Sequence, residues 1–303
     1  MKIALTGATG FIGQTLVPRL TSAGHALVLF VRDADKARRC FPQTQFPQAE
    51  IVADPDAWSE ALKDCQAAIN LAGEPISERW TPEYKERILA SRRDITRRLV
   101  KAIAQGNPKP RVLISASAIG YYGASETACF DETSAPGEDF LAQVCQVWET
   151  EALAAQTLGI RVALLRLGIV LGAGGGALGK ILPPFQLFAG GPLGTGKQWF
   201  SWIDIEDATG LILWALQTEG VSGPLNATAP NPVRMAEFCQ TLGQVLNRPA
   251  WLPVPGFALE LLLGEGAQLV LEGQQVLPQT ALNQGYSFRY PQLRDSLLKN
   301  TGR

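Results

Sequence analysis

Three glycines three residues apart, Gly7, Gly10 and Gly13, stand in the run Gly7-Ala8-Thr9-Gly10-Phe11-Ile12-Gly13 and are the first residues whose types and spacing could do chemistry. The run Lys2-Ile3-Ala4-Leu5 before them reads as a buried strand, and Phe11 to Leu20 after them as an amphipathic helix. Glycine is needed where φ is positive, where a phosphate approaches the main chain, and where a helix packs closely on a strand. The helix start adds free N–H groups and the positive end of a dipole. The string therefore predicts a dinucleotide site, with Gly7, Thr9, Gly10, Phe11, Ile12 and Gly13 against the pyrophosphate.

A second chemical signal closes the next strand, Ala26 to Val31. NAD sites usually place a carboxylate there for the ribose 2′-hydroxyl, but this chain has Val31 followed by Arg32. A guanidinium pairs bidentately with a 2′-phosphate, so the expected cofactor is NADP(H). Asp33 is the competing reading, as the acid of a shifted register. Lys36 and Arg38 could help or be solvated charges, and Asp54 could contact adenine or cap a helix. Further along, Ala67 to Gly73 reads as a strand running into small residues and a glycine, and at that strand end Leu71, Ala72 and Gly73 let the backbone approach a cofactor.

Other chemistries are pruned by composition. Lys+Arg number 27 against Asp+Glu 28, a net charge of -1 that gives no electrostatic reason to expect nucleic acid or an anionic membrane as partner. The one histidine, His25, follows Gly24 at a strand start and reads as a loop residue, which leaves no His triad and no metal site. Five cysteines, odd in number and without a C-x-x-C pair, read as reduced thiols. No stretch approaches the roughly 20 apolar residues of a membrane span, and the chain starts on a strand, so the expectation is a cytoplasmic protein without membrane insertion.

The elements that must position these groups alternate as strand and helix. Strands are expected over 2–5, 26–31, 50–54, 67–72, 112–117 and 161–170, with helices near 56–63, 74–98 and 139–157 between them. That order predicts an α/β fold, a Rossmann-type doubly wound parallel sheet. Ligands of such sheets sit at the carboxyl ends of strands, which places Ser115, Ser117 and Tyr121 where chemistry is expected. We assign residues 1–170 to the NADP-binding domain, with a return of the chain near 205–228. Residues 171–303 form a smaller α+β substrate lobe that includes a small C-terminal domain at about 248–296. Gly174 to Lys180 and Gly191 to Lys197 each fit G-x-x-x-x-G-K, but Ile181 and Gln198 follow instead of the Ser or Thr that would hold magnesium.

With these residues in view, the whole chain resembles the extended short-chain dehydrogenase/reductase superfamily. Within it, the likeness is to an atypical NAD(P)-dependent epimerase family that ends in a C-terminal domain of unknown function. The markers are GATGFIG at 7–13, NLAGEPI at 70–76, SASAIGYYG at 115–123, LRLGIVLG at 165–172, QWFSWIDIEDA at 198–208, NATAPNPV at 226–233 and GQQVLPQTALNQGYSFRYP at 273–291. The resemblance implies Ser117 as the group that holds a substrate oxygen. It also implies a Tyr-x-x-x-Lys pair, which is absent: placed by Glu149, those positions hold Leu141 and Cys145. Tyr121 is then either a substitute acid or an aromatic packed over the ligand. The stretch 199–207 would line the substrate cleft or be ordinary strand core.

Two functions follow as expectations. One is an oxidoreductase or epimerase of the extended type on a small polar substrate such as a nucleotide sugar. The other is a non-catalytic NADP-dependent sensor or scaffold, of the kind linked to cell or plastid division, using the basic helix 85–98 or the C-terminal tail as its surface. A homodimer is compatible with either.

Overall fold

The computed structural model describes residues 1–303. Seven strands form one parallel sheet in the order β7-β6-β5-β4-β1-β2-β3. They are β1 (Lys2–Thr6), β2 (Ala26–Phe30), β3 (Ala49–Val52), β4 (Ala67–Asn70), β5 (Val112–Ala118), β6 (Arg161–Leu167) and β7 (Gly223–Ala227). The order reverses between β1 and β4, and the crevice at that switch point is where a doubly wound sheet binds its ligand.

Successive side chains of a strand face opposite ways, and both faces of this sheet are covered. Ile3 and Leu5 pack with Leu27, Leu29, Ile114 and Leu165 beneath α1 (Phe11–Ser22) and the later helix 205–217. Ala4, Val28, Leu113 and Val162 face the other way, under Leu99 and Ile103 of the long helix 82–105. This double burial is why the strands read as unbroken apolar runs.

The helices between are α2 (Ala34–Cys40), α3 (Pro82–Gln105) and α4 (Phe140–Leu153), followed by α5 (Gly176–Gln186), α6 (Ile205–Gln217), α7 (Met235–Leu246), α8 (Gly256–Leu263) and α9 (Leu293–Thr301). Several sequence expectations change in extent. The helix expected over 74–98 starts at Pro82, after the Thr81 cap, and runs to Gln105, and the strand expected over 50–54 is Ala49–Val52. The helix expected over 56–63 is a turn of 3₁₀ helix, Pro55–Ala57, and a short helix, Trp58–Ala61. The one expected over 139–157 passes at Leu153 into a 3₁₀ turn that runs to Leu158. The sixth strand stops at Leu167, and the next residue, Gly168, passes so close to Ser201 that an added Cβ would lie 2.6 Å from its carbonyl oxygen. Beyond it, Ile169–Leu171 pairs with Trp202–Asp204 in a separate ribbon. No helix is long and apolar enough to cross a membrane.

The glycine-rich stretch after β6 has a packing role. A Cβ on Gly172, Gly175 or Gly176 would lie 2.7 Å from the Phe11 ring, so these glycines form a cradle for that ring. Phosphate-loop chemistry is not needed to explain them.

The motif around residues 199–207 anchors the C-terminal segment. Trp202 is fully buried, and Asp204, also fully buried, accepts from Ser296 Oγ at 2.6 Å, Asn300 Nδ2 at 2.8 Å and Lys299 Nζ at 2.9 Å. Asp207 accepts the backbone N–H groups of Arg289 and Tyr290 at 2.7 and 2.8 Å. Burial raises the Asp207 carboxyl pKa, and those two N–H bonds pull it back. Removing a buried acceptor leaves its donors unsatisfied, so Asp204→Ala should destabilise the fold by about 3 kcal/mol in urea denaturation. A loss near zero would show that α9 does not depend on this carboxylate.

Candidate cofactor and catalytic site

β1 delivers the chain to the turn at the switch point, and two of the three glycines there are sterically required. Gly7 has φ +74, and a Cβ on it would lie 2.6 Å from the Leu71 carbonyl carbon and 2.8 Å from Ala72 N. A Cβ on Gly13 would lie 2.3 Å from the Gly7 carbonyl oxygen. Gly13 thus lets α1 press onto the turn, and Gly7 lets the turn press onto the end of β4. Gly10 is looser, its nearest contact being the Gly7 oxygen at 3.2 Å.

Gly10 caps α1 without a side-chain acceptor, so the first N–H groups of the helix, on Phe11, Ile12 and Gly13, are free for an anion. These groups fit a pyrophosphate. Thr9 sits on the same turn, where its carbonyl accepts from Gln14 Nε2 at 2.9 Å. Gly73, past β4, lies on the Arg92 guanidinium, whose Cζ would be 3.2 Å from an added Cβ.

Beyond the ends of β2 and β3 the acids and bases differ in what they bond. Asp33 caps α2 by accepting from Lys36 N at 2.8 Å, and that bond holds its carboxyl below the usual range. Asp54 likewise accepts from Asp56 N at 2.9 Å, the capping alternative of its two readings. Arg38 pairs with Asp35. Arg32 extends from the end of β2 with its side chain 81% exposed and meets Glu74 Oε1 at 2.6 Å. Of the basic set on α3, Arg92 donates to the Glu74 and Ile88 carbonyls, Arg97 pairs with Glu151, and Lys85 pairs with Glu265. Much of that face is therefore neutralised within the chain.

At the ends of β5 and β6 lies a buried polar network. Arg166 reaches Glu149 of α4 through two bonds of 2.8 Å, and the two side chains are 4% and 7% exposed. Ser117 Oγ donates to Glu149 Oε1 at 2.7 Å. Arg166 Nη1 donates to the Tyr122 hydroxyl at 3.0 Å, which donates onward to Asn226 Oδ1 on β7 at 2.7 Å. Burial alone would lower the Arg166 pKa, but the bonds and charge of Glu149 outweigh it and hold the pKa above its usual value. Burial pushes the Tyr122 phenol up to about 12 against the pull of Arg166, so it remains a donor.

Tyr121 is different. Its ring lies under the Arg166 guanidinium at 3.4 Å, it is half-buried, and its hydroxyl has no partner in the chain. A cation so placed fixes the ring by roughly 1–2 kcal/mol. The positions of the absent Tyr and Lys are apolar: Leu141 touches Gly120, and Cys145 Sγ lies 3.6 Å from the Ala118 carbonyl oxygen. Burial pushes the Cys145 thiol up to about 12, which leaves it protonated and unreactive.

Sequence reasoning singled out Ser117 and Tyr121 but not Arg166, Tyr122 or Asn226. One signal was available. Arg166 interrupts the apolar run Leu164-Leu165-Arg166-Leu167, and a charge in a doubly covered strand requires a partner.

Comparison with known proteins places this geometry. Residues 3–227 match the NAD dependent epimerase/dehydratase family, and residues 254–299 match a domain of unknown function, DUF1731. The chain is 51% identical over 299 residues to the chloroplastic epimerase family protein SDR39U1 homolog of Arabidopsis thaliana, covering 98% of this chain and 86% of that protein. It is 42% identical to the epimerase family protein YfhF of Bacillus subtilis, covering 98% and 97%. Among solved structures, human epimerase family protein SDR39U1 (isoform 2) with NADPH superposes at TM-score 0.90 with 35% identity, and the match covers both chains completely.

Breaking a buried ion pair from one side strands a charge. Arg166→Met should therefore cost about 3–5 kcal/mol in urea denaturation, and adding Glu149→Leu should recover much of it. A single substitution costing under about 1 kcal/mol would mean that water reaches the pair.

Proposed function

The chain belongs to the NAD dependent epimerase/dehydratase family, and from that premise we propose that it is an NADP(H)-binding oxidoreductase or epimerase acting on a small polar substrate. The observation that carries the reading is the pairing of a tight glycine turn with a guanidinium at the end of β2, where Asp33, the acid that a shifted register would use, is committed to a helix cap. The NADPH in the human relative's structure supports the same cofactor.

Gly7, Thr9, Gly10, Phe11, Ile12 and Gly13 would hold the pyrophosphate, Arg32 the 2′-phosphate, and Leu71, Ala72 and Gly73 the backbone wall beside it. NADP(H) supplies reversible hydride transfer when bound. For the accompanying proton we assign Tyr121, which follows the carboxyl end of β5 and whose hydroxyl has no hydrogen-bond partner in the chain. Ser117, with its hydrogen on Glu149, would act from behind by fixing the ion pair that positions the Tyr121 ring. Residues 1–170 with the return at 205–228 would form the cofactor domain, and 171–303 the substrate lobe with its C-terminal domain at 248–296. The five unpaired thiols fit a reducing compartment such as the cytoplasm.

A second reading, a non-catalytic NADP(H)-dependent sensor or scaffold, is favoured by the apolar residues at the Tyr and Lys positions. Phe257, Leu261 and Leu262 of α8, at 73%, 76% and 67% exposure, would offer it a contact surface.

Titration should show NADPH binding at least tenfold tighter than NADH, and Arg32→Ala should remove most of that difference. Equal affinities would overturn the cofactor assignment. Nucleotide sugars and carbonyl compounds should then be screened for turnover. Tyr121→Phe should lower kcat about a hundredfold or more with cofactor affinity intact. Turnover that survives it would remove Tyr121 from the chemistry, and no turnover on any compound would favour the sensor.

A further inference from the structure

We propose that Glu74 is a specificity-determining residue, an internal competitor that holds Arg32 until a 2′-phosphate takes it and so sets the strength of the preference for NADP(H). The inference rests on the cofactor reading above and adds to it a residue outside the glycine turn and β2.

The argument starts from topology. β2 and β4 flank β1 in the sheet, and Arg32 and Glu74 each lie just beyond the carboxyl end of one of these two strands. Their ion pair of 2.6 Å thus crosses the end of β1, where the Gly7 turn begins. A dinucleotide laid on that turn lies next to the pair.

The two partners are unequally held. Glu74 is 17% exposed, its N–H donates to Ser91 Oγ at 3.1 Å, and its carbonyl accepts from Arg92 Nη2 at 3.1 Å. Arg32, at 81% exposure, reaches it from solvent. Glu74 is therefore anchored through its backbone with its side chain largely covered, whereas the guanidinium is exposed and held by this one pair.

A phosphate monoester offers more charge and more acceptor oxygens than one carboxylate, so it can draw Arg32 away. Glu74 opposes this twice, by holding the guanidinium and by placing a negative charge near the incoming phosphate. NADH lacks that phosphate and meets neither effect. Glu74 therefore moderates the discrimination that Arg32 creates.

The test is a set of binding isotherms for NADPH and NADH with wild type, Glu74→Gln, Arg32→Ala and the double variant, with thermal melts to check folding. Glutamine keeps the size of the side chain and leaves the backbone bonds to Ser91 and Arg92 in place. Releasing a pair whose guanidinium is largely exposed should tighten NADPH about two- to fivefold and change NADH less than twofold, so the NADPH:NADH ratio rises. In the Arg32→Ala background the gain from Glu74→Gln should shrink, because the competition has gone. Looser NADPH binding in Glu74→Gln, or equal shifts for both cofactors, would overturn the proposal while Arg32→Ala still upheld the cofactor reading. If Arg32→Ala leaves NADPH affinity unchanged, the cofactor reading falls and this inference with it.

Discussion

Arg166 and Glu149 are opposite charges held in contact where almost no water reaches either. Removing two ions from water costs several kcal/mol each, and their attraction offsets this only when the remaining donors and acceptors are also satisfied. That requirement organises the end of the sheet. Ser117 fills one lone pair of the carboxylate, Tyr122 takes the remaining guanidinium nitrogen, and Asn226 completes the tyrosine. Three adjacent strands and α4 are joined by one chain of bonds, and the only phenol left free beside it is Tyr121. The role proposed for Tyr121 thus follows from what the ion pair has already consumed.

The cofactor end is governed by closeness instead of charge. Gly13 admits the carbonyls of Gly7 and Ala8 to distances that no Cβ would allow, and Gly7 does the same for the main chain after β4. These contacts hold α1 with its N–H groups toward the crevice, which is what an anion needs. Phe11, two residues before Gly13, then seats its ring on Gly172, Gly175 and Gly176, and so ties the turn to the segment after β6. Glycines far apart in the chain therefore serve one arrangement.

Much of the frame was legible in the sequence because each signal was local. A strand, a turn of glycines and a helix start are read within fifteen residues, and doubly buried strands declare themselves as apolar runs. The missing Tyr-x-x-x-Lys pair was equally plain. Long-range relations were not legible: that Gly172 to Gly176 receive a ring from position 11, or that Asp204 and Asp207 hold residues 289–300, depends on contacts between segments 82 or more residues apart. Ser117 shows the same limit. Its type and its place at a strand end pointed to substrate contact, but its hydroxyl bonds to a carboxylate that sequence alone does not locate.

The most direct test of this account is a crystal structure of the chain with NADPH bound. The account predicts the Glu149–Arg166 pair unchanged, Ser117 Oγ still donating to Glu149, and the Tyr121 hydroxyl within hydrogen-bond reach of a substrate oxygen placed beside the nicotinamide C4. A structure in which Ser117 has turned away from Glu149 toward the nicotinamide, or in which the ring lies beyond the reach of Tyr121, would contradict it.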